Sequence, residues 1–412
     1  MTKKILIHSL IFSPDGVSTA YLYNDIALRF RENGYEVVVL TTTPHYNVVE
    51  EQLKQQPMHR CMGGGFKESN FKGIRVIHVP QKKFKNTLLR LLGFVYWHIV
   101  SFFLGLTQRN VDIILSPSPP LTIGVINILL AKLKGCKVIY NVQEIYPDIL
   151  KKKEGIIVSL LRKMERYVYN RSSAVTTIDK VFYSTIVDRF EDKSKLHIIP
   201  NFVDTELYNP EQADLNLLDV DLFPKTESLK LLYAGNIGFA QDWQPLIALA
   251  QKTKNEAIEY FIIGEGVMKS YIEEKKKELN LDNIHLLPYQ PRNLMPSILS
   301  YSDIQFIFMN PEMEMQGFPS KVYTIMACAR PLLVCSGEGT PIVNFLQDCD
   351  CAKLITEKIF ETKVDEMYNW LRGVSKESLT QLGNNGFSVI EKYYTKEVVT
   401  AQYVRLVDRL LD

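Results

Sequence analysis

The sequence predicts an α/β protein built from two doubly wound, Rossmann-like lobes. The chain has 412 residues, and a single hydrophobic core rarely serves more than about 250–300 residues, so two domains are expected. Short apolar runs alternate with segments of helical periodicity, which is typical of a parallel sheet with helices on both faces. A hydrophobic content of 46% with 23% charged residues excludes a disordered chain.

The first lobe is predicted over residues 1–202. A first strand over 4–10, which contains His8 as an expected core residue with satisfied hydrogen bonds, leads through a glycine-containing turn to a helix over 21–33. β-branched and apolar runs mark the strands that follow. These strands are expected over 36–40, 74–79, 111–115, 137–142 and 174–178.

The second lobe is predicted over 203–395, because a polar stretch after residues 199–204 is followed by a new series of strands. A C-terminal helix of about 396–412 is expected to pack back on the first lobe. Ligands of doubly wound sheets lie outside the carboxyl ends of the strands, so we expect a site in a cleft between the lobes. The strands of the second lobe are expected over 229–233, 257–263, 284–287, 304–308 and 331–334.

The charge and the cysteines exclude several classes of protein. A formal net charge of +2 gives no support for nucleic-acid binding, which requires clustered Lys and Arg. Six cysteines without a C-x-x-C pair and seven histidines without metal-ligand spacing predict neither a disulfide framework nor a metal site. The first apolar run is too short for a signal peptide, and a reducing, cytoplasmic location is expected.

The segment 88–106 is apolar nearly all round and is flanked by Lys82, Lys83, Lys85 and Arg109. Its length is borderline for a membrane span, and a span here would interrupt the first lobe between two strands. Two alternatives stay open. The segment is either a fully buried helix or a helix that lies partly in the membrane interface with its lysines on lipid phosphates.

Three glycine turns follow predicted strands. In the first lobe, Gly16 lets the backbone approach an anionic ligand, and Ser18 or Thr19 can cap the next helix, although a plain strand-to-helix turn explains the same residues. In the second lobe, a turn with Gly235, Asn236 and Gly238 and a turn at Gly264 are better phosphate cradles. Neither completes G-x-G-x-x-G, so the dinucleotide fingerprint is absent.

The most informative motif spans residues 316–327. A Gly-Phe-Pro turn is followed by Ser320 as a helix cap and by Lys321 in the first turn, where an ammonium beside free backbone N–H groups suits a diphosphate leaving group. The loop with Glu338, Gly339 and Thr340 opens another helix, and its amides can face phosphates or a sugar. In the first lobe, Glu144, Tyr146 and Asp148 follow the strand over 137–142, and these carboxylates either face a substrate hydroxyl or are simply solvated.

In order and spacing, these motifs resemble the retaining GT-B glycosyltransferases grouped as family four, over nearly the whole chain. Segments 116–120, 143–148 and 319–321 look like the branch that builds bacterial surface polysaccharides, including N-acetyl-fucosamine transferases. The other matching pieces are Pro14–Gly16, Ile199–Asn201, Val203-Asp204, Ala234–Gly238, Gly264-x-Gly266, Met326-Ala327 and Arg330-Pro331.

The resemblance implies a nucleotide-sugar donor, with uridine as the favoured base, on the second lobe and an acceptor on the first. It also implies chemistry without a metal cofactor and with retention at the anomeric carbon. Asn236 and Gln241 lie where the family commonly has Arg and Lys, Gln316 and Thr324 replace a pair of glutamates, and Gln143 replaces a His. We therefore expect Lys321 to carry more of the charge neutralisation.

The predicted function is transfer of a hexose or an N-acetylated amino sugar to a growing polysaccharide or a polyprenyl-diphosphate-linked glycan, at an anionic membrane surface that residues 82–109 contact. The enzyme is expected on the inner face of the plasma membrane. A sugar-nucleotide epimerase, a catalytically silent nucleotide-binding subunit and a transferase with a soluble acceptor are the alternatives.

Lys321 and Glu144 are expected to be catalytic. Donor contacts are expected from Gly16, Gly235, Asn236, Gly238, Gln241, Gly264, Tyr289 in the base region 287–294, Ser320, Lys321, Thr324, Glu338, Gly339 and Thr340, and acceptor contacts from Ser18, Tyr146 and Asp148.

Overall fold

A computed structural model describes residues 2–45, 48, 50–81, 86–148, 150, 155–315 and 317–412. The chain divides into two compact units, Met1–Asn201 with Glu397–Asp412, and Phe202–Lys396. Each unit contains one sheet that is wholly or mostly parallel. The predicted α/β class with two doubly wound sheets is therefore confirmed.

The sheet of the first unit has the strand order β3-β4-β5-β2-β1-β6-β7-β8-β9. All neighbours from β5 to β9 are parallel, and β3 and β4 add an antiparallel edge. The strands β3, β4 and β9 were not expected from the sequence, because they are short and largely exposed. The strands are β1 (Lys4–His8), β2 (Glu36–Thr42), β3 (His59–Cys61), β4 (Phe66–Phe71), β5 (Ile74–Val79), β6 (Ile113–Pro117), β7 (Lys137–Val142), β8 (Ala174–Thr177) and β9 (Leu196–Ile198).

Among the described residues, six helices connect these strands. One face of the sheet packs against two of them through a cluster that includes Leu6, Trp97, Ile114 and Leu130. On this face α4 lies between α3 and α5, whereas α1 contacts β2 and β5. The helices are α1 (Ser18–Glu32), α2 (Glu50–Gln55), α3 (Thr87–Thr107), α4 (Leu121–Lys134), α5 (Ile156–Arg171) and α6 (Lys180–Ile186).

Helix α3 is the predicted apolar segment, and its surroundings decide between the two alternatives. Trp97, Ser101 and Leu104 face the core, and Asn86 caps the helix through its side-chain oxygen. The opposite side is exposed, and Phe103 is 61% accessible. The fully buried alternative is therefore wrong. Among the described residues, α3 is the one helix whose length and composition would allow it to cross a membrane.

The sheet of the second unit has the order β12-β11-β10-β13-β14-β15 and is parallel throughout. Successive residues of β10 point to opposite faces of the sheet. Leu231 belongs to one core cluster and Leu232 to another. The strands are β10 (Leu229–Ala234), β11 (Ile258–Ile263), β12 (Ile284–Leu287), β13 (Ile304–Phe308), β14 (Leu332–Cys335) and β15 (Ala352–Ile355), of which β15 was not expected from the sequence.

In the part of the chain that the structure describes, seven helices belong to the second unit, and the last helix returns to the first unit. Helix α14 (Lys396–Leu411) contributes Tyr403, whose hydroxyl accepts a hydrogen bond of 3.0 Å from the buried Asn141 of β7. Farther along α14, Asp408 accepts from the Tyr35 hydroxyl. The helices of the second unit are α7 (Gln244–Lys252), α8 (Lys269–Glu278), α9 (Met295–Tyr301), α10 (Lys321–Ala327), α11 (Pro341–Gln347), α12 (Phe360–Gly373) and α13 (Lys376–Tyr393).

Candidate active site

The candidate donor site of the second unit lies at the carboxyl edge of its sheet. Loops that follow β10, β11, β13 and β14 meet there, and the strand order reverses direction between β10 and β13. Ligands of doubly wound sheets bind at such a switch point, because the loops on either side of it diverge and leave a crevice. Most of the predicted donor contacts lie on these four loops.

Two glycines allow the loops after β10 and β11 to touch backbone to backbone. Gly264 has a φ of +139°, and a Cβ atom there would lie 2.0 Å from the carbonyl oxygen of Gly235. The Gly235 amide donates to Ile263, and the Ile237 amide donates to Glu265, both at 2.9 Å. No side chain fits between these backbones, so the predicted glycine turns are a packed unit with fixed geometry.

These backbone contacts divide the amides of the turn into two groups. The amides of Gly235 and Ile237 are used within the protein. The amides of Asn236 and Gly238 donate to no acceptor in the described part of the chain. Of the four amides from Gly235 to Gly238, these two are therefore unpaired, and the amide of the exposed Asn236 is accessible to an anion.

Lys321 is the first residue of α10, and its ammonium lies beside the same turn. Its Nζ atom is buried, has no hydrogen-bond partner among the described residues, and lies 3.6 Å from the ring centroid of Tyr233. A Cβ atom on Gly235 would lie 2.6 Å from this Nζ atom. Burial lowers the pKa of Lys321 to about 7, because desolvation disfavours the charged form. An anion at this position would supply the missing partner.

The residues around Lys321 differ from their predicted roles in detail. Ser320 is the N-cap residue of α10, but its side chain makes no capping hydrogen bond, so the predicted cap is wrong and its hydroxyl is exposed. The Thr324 hydroxyl donates to the Lys321 carbonyl at 2.9 Å. Gln241 is buried, and its amide group contacts the Ala240 carbonyl and the Met309 sulfur. These contacts direct Thr324 and Gln241 toward the protein.

The loop after β14 is held by a carboxylate that sequence reasoning missed. Glu314 accepts hydrogen bonds from the Ser336 hydroxyl at 3.0 Å and from the Gly337 amide at 2.7 Å. The buried Thr340 hydroxyl completes the loop by donating to the Gly337 carbonyl at 2.9 Å. The only sequence signal for this role was that Glu314 lies two residues before Gln316, the position where the resembled family has a glutamate. Gln316 itself lies outside the described residues.

Three further predicted donor residues are open to solvent. Glu338 and Gly339 are exposed in the loop before α11, and Tyr289 is 58% exposed after β12. The side chains of Glu338 and Tyr289 and the backbone of Gly339 are therefore accessible, and a role in holding the sugar or the base stays a prediction.

In the first unit, the turn after β1 was expected to contain a capped helix start. The N-cap of α1 is Val17, without a side-chain cap, and Ser18 is the exposed first residue of the helix, so the predicted capping by Ser18 or Thr19 is wrong. Gly16 is half-buried. The preceding Asp15 is buried and accepts a hydrogen bond of 2.9 Å from the His45 amide, which joins this turn to the loop after β2.

His8 lies at the end of β1 and is fully buried, as expected for a core residue. Its Nδ1 atom is 2.6 Å from the Asn127 side-chain oxygen, but its Nε2 atom has no partner in the described part of the chain. The prediction of a fully satisfied histidine is therefore wrong for one nitrogen. Burial lowers the pKa of His8 to about 4, so the ring is neutral at physiological pH.

The loop after β7 separates its two carboxylates. Glu144 is half-buried, and desolvation raises its pKa. The pKa of Tyr146 is raised by burial and by the nearby Glu144. In contrast, Asp148 forms ion pairs with Arg189 and with Arg162, the latter at 3.4 Å. Glu144 is therefore the carboxylate suited to receive a proton, and Asp148 is engaged in an internal network.

Gln143 joins the end of β7 to the end of the first unit. It exchanges two hydrogen bonds with Asn201, at 3.1 and 3.0 Å, and also donates to Asn141 at 2.9 Å. Because Asn141 binds Tyr403 of α14 as well, these amides connect β7 with the C-terminal helix. Sequence reasoning noted Gln143 but did not find this network, since the partners are distant in the chain.

The GT-B class of glycosyltransferases has this combination of two doubly wound sheets and an anion-binding edge on the second, which here holds unpaired amides and an ammonium without a partner in the described part of the chain. Family models agree with this class. The model described as Glycosyltransferase Family 4 matches residues 20–207, and the model described as Glycosyl transferases group 1 matches residues 218–345. The chain belongs to the family 4 glycosyltransferases of the GT-B fold, which confirms the predicted family.

Individual relatives extend the similarity over most of the chain. WcaI of Escherichia coli K12, described as a colanic acid biosynthesis glycosyl transferase, is 24% identical over 79% of this chain and 81% of its own. The glycosyltransferase WbjE of Pseudomonas aeruginosa is 23% identical over 58% of this chain and 61% of its own. The crystal structure of HepE from Anabaena in complex with UDP has a TM-score of 0.72 at 13% identity, covering 99% of this chain and 100% of its own.

Proposed function

We propose that this glycosyltransferase takes a hexose or N-acetylhexosamine from a uridine-diphosphate donor and transfers it, with retention, to a lipid-linked glycan of a bacterial surface polysaccharide. The observation that carries the proposal is the buried Lys321 ammonium, which has no hydrogen-bond partner among the described residues and lies beside two unpaired backbone amides. The UDP complex of HepE supports the base, and the description of WcaI supports the pathway class.

The diphosphate is the part of the donor that this site recognises best. The amides of Asn236 and Gly238 bind its oxygens, and Lys321 neutralises the charge that develops as the bond to the sugar breaks. This arrangement needs no metal ion, because a preorganised cation and two N–H donors are already present. Tyr289 is proposed to contact the base, and Glu338 and Gly339 the sugar.

On the acceptor side, Glu144 is proposed to hold the attacking hydroxyl. A half-buried carboxylate whose pKa is raised by desolvation is a stronger base than an ordinary glutamate, so its ionised form can orient a hydroxyl group and accept its proton. The acceptor oxygen bonds to the anomeric carbon on the face that the diphosphate leaves, and this front-face route gives retention. Ser18 and Tyr146 are proposed to contact the acceptor glycan.

The lipid part of the acceptor places the reaction at a membrane, and the first unit has a suitable surface. Leu91, Val95 and Phe103 of α3 are exposed, and Ile156 and Leu160 extend apolar exposure to α5. Large exposed apolar patches mark interaction sites, and here exposed basic side chains accompany the patch. These are Arg90, Lys132, Arg162, Lys163 and Arg166; Lys82, Lys83 and Lys85 lie outside the described residues.

The proposal is tested by incubating the protein with UDP-sugars, without added metal, in the presence and absence of a polyprenyl-diphosphate-linked glycan. Acceptor-dependent release of UDP with retention at the new linkage is the expected result. Conversion of the UDP-sugar without an acceptor would instead identify an epimerase. Binding of UDP without turnover of any donor would identify a silent subunit and contradict the proposal.

A further inference from the structure

A cavity of about 800 Å³ that is open to solvent lies in the first unit, beside the N-terminal half of α3. Its volume is within the range of small-molecule sites, which is about 300–1,000 Å³. Leu89, Leu92 and Tyr96 of α3 form one wall, and Leu53 and Met58, from α2 and the chain after it, form another. Such a lining suits a hydrocarbon chain, because burial of apolar surface is its main source of affinity.

One charged side chain stands out among the described residues that line the cavity. Lys67 of β4 is exposed and forms no ion pair within the described part of the chain. Polar groups are otherwise provided by Thr43 and Gln81, whose hydroxyl and backbone atoms bind each other. Among its described lining residues, the cavity therefore combines an apolar body with a cation, which matches a hydrocarbon chain that carries an anionic head.

The cavity adjoins the turn that follows β1. Val48 lines the cavity and pairs with Asp15 in an isolated β-bridge, and the His45 amide donates to the Asp15 carboxylate. The Ser13 hydroxyl donates a buried hydrogen bond of 2.6 Å to the side-chain oxygen of Gln56, just after α2. The wall of the cavity is thus connected directly to the turn beside which the acceptor is proposed to enter.

We infer that this cavity holds the hydrocarbon chain of the acceptor next to its diphosphate, and that Lys67 binds that diphosphate. The inference rests on the proposed function, because it gives the lipid-linked acceptor a defined site. The inference also distinguishes two lipid contacts of the first unit. The outer face of α3 contacts the bilayer, whereas the cavity binds a single prenyl chain.

Gly93 provides a direct test, because it lines the cavity in the middle of α3. The atoms nearest to a Cβ atom there belong to the flexible Gln81 side chain, at 3.3 Å and beyond, so a larger residue can displace this side chain and extend into the cavity. We would measure binding of farnesyl diphosphate to the full-length protein by calorimetry. Gly93→Phe is expected to weaken binding about tenfold or more, since loss of a few methylene contacts has effects of that size. Ile99→Phe, which places the same aromatic ring on the exposed side of the same helix, is expected to bind like the wild type.

Two further probes identify the head group and the source of the chain. Farnesol is expected to bind more weakly than farnesyl diphosphate, because it lacks the diphosphate. Lys67→Gln is expected to abolish this difference in affinity, whereas the control Lys54→Gln on α2 is expected to preserve it. Equal binding of dihexanoyl phosphatidylglycerol would assign the cavity to membrane lipids and overturn the inference, as would no binding of either lipid. UDP binding measured on the same samples reports on the donor site separately, so the inference can fail while the proposed function stands.

Discussion

The candidate donor site of the second unit and the candidate acceptor region of the first unit are built in opposite ways. In the second unit, the site is polar and its shape is fixed by backbone contacts, as at Gly235 and Gly264, where no side chain fits. In the first unit, the candidate acceptor region combines an apolar cavity with a helix whose apolar face is exposed. The diphosphate is the constant part of nucleoside-diphosphate-sugar donors and favours a rigid cradle, whereas a flexible lipid is bound through burial of apolar area with few directed hydrogen bonds.

The largest effect is expected from Lys321→Ala. Loss of a preorganised group that stabilises developing charge lowers turnover by about 10²–10³-fold. Turnover with a UDP-sugar is the measurement, and Lys277→Ala, an exposed lysine on α8, is the control with unchanged activity. Full activity of Lys321→Ala would show that the second unit does not neutralise the diphosphate in the way described.

Gly264→Ala tests the rigidity of the cradle. The new methyl group would lie 2.0 Å from the Gly235 carbonyl oxygen, in a left-handed conformation that alanine rarely adopts. We expect a loss of about 2–4 kcal/mol in the free energy of unfolding, from strain and overpacking together. Denaturant titration measures it, and Gly373→Ala, where a Cβ atom has open space, should be near neutral. A stable Gly264→Ala protein that binds UDP normally would contradict the packed-loop description.

Glu144→Gln should separate the acceptor side from the donor side. Removing a proton acceptor lowers kcat by about 10²-fold or more, while the dissociation constant of UDP stays unchanged. Asp148→Asn is the matched comparison, because Asp148 is held by Arg189 and Arg162, so we expect it to reduce stability more than kcat. If the effects of the two substitutions were reversed, Asp148 would be the functional carboxylate.

The pH dependence of wild-type activity should reflect Glu144. Because desolvation raises the pKa of this carboxyl, it becomes protonated at a higher pH than an ordinary glutamate and can then no longer accept a proton. The kcat is therefore expected to fall on the acid side, as pH decreases through this raised pKa, and Glu144→Gln should lack that limb. An acid limb that persists in Glu144→Gln would assign it to another group.

The smallest effect concerns the membrane surface. Replacing Leu91 and Phe103 together by Asn is expected to weaken binding to anionic vesicles about tenfold, because two exposed apolar side chains leave the interface. Co-sedimentation with phosphatidylglycerol vesicles measures it. Leu217 and Val220 of the second unit are equally exposed, and their replacement by Asn should change nothing. If neither pair of substitutions changed vesicle binding, the proposal that α3 contacts the membrane would be wrong.

Sequence periodicity predicted the parallel strands because β1, β2, β6 and β10 are buried on both faces and therefore appear as continuous apolar runs. It did not predict β3 or β4, since an edge hairpin has exposed residues and no such run. Lys321 was found because a turn, a helix start and a cation coincide in one segment. Glu314 and the cavity beside α3 were not found, because their neighbours come from distant parts of the chain.

The central claim is that Lys321 is the cation that binds the donor diphosphate, and UDP binding between pH 7 and 8.5 tests it most directly. In the free protein the pKa of Lys321 is about 7, and only the protonated amine attracts the anion. Above that pH, binding must take up a proton, so the affinity of the wild type should fall by up to about tenfold per pH unit. UDP itself is fully ionised in this range, since the second phosphate pKa is about 6. Lys321→Ala should bind UDP weakly and without this slope, whereas equal affinity and equal slope in the two proteins would contradict the account.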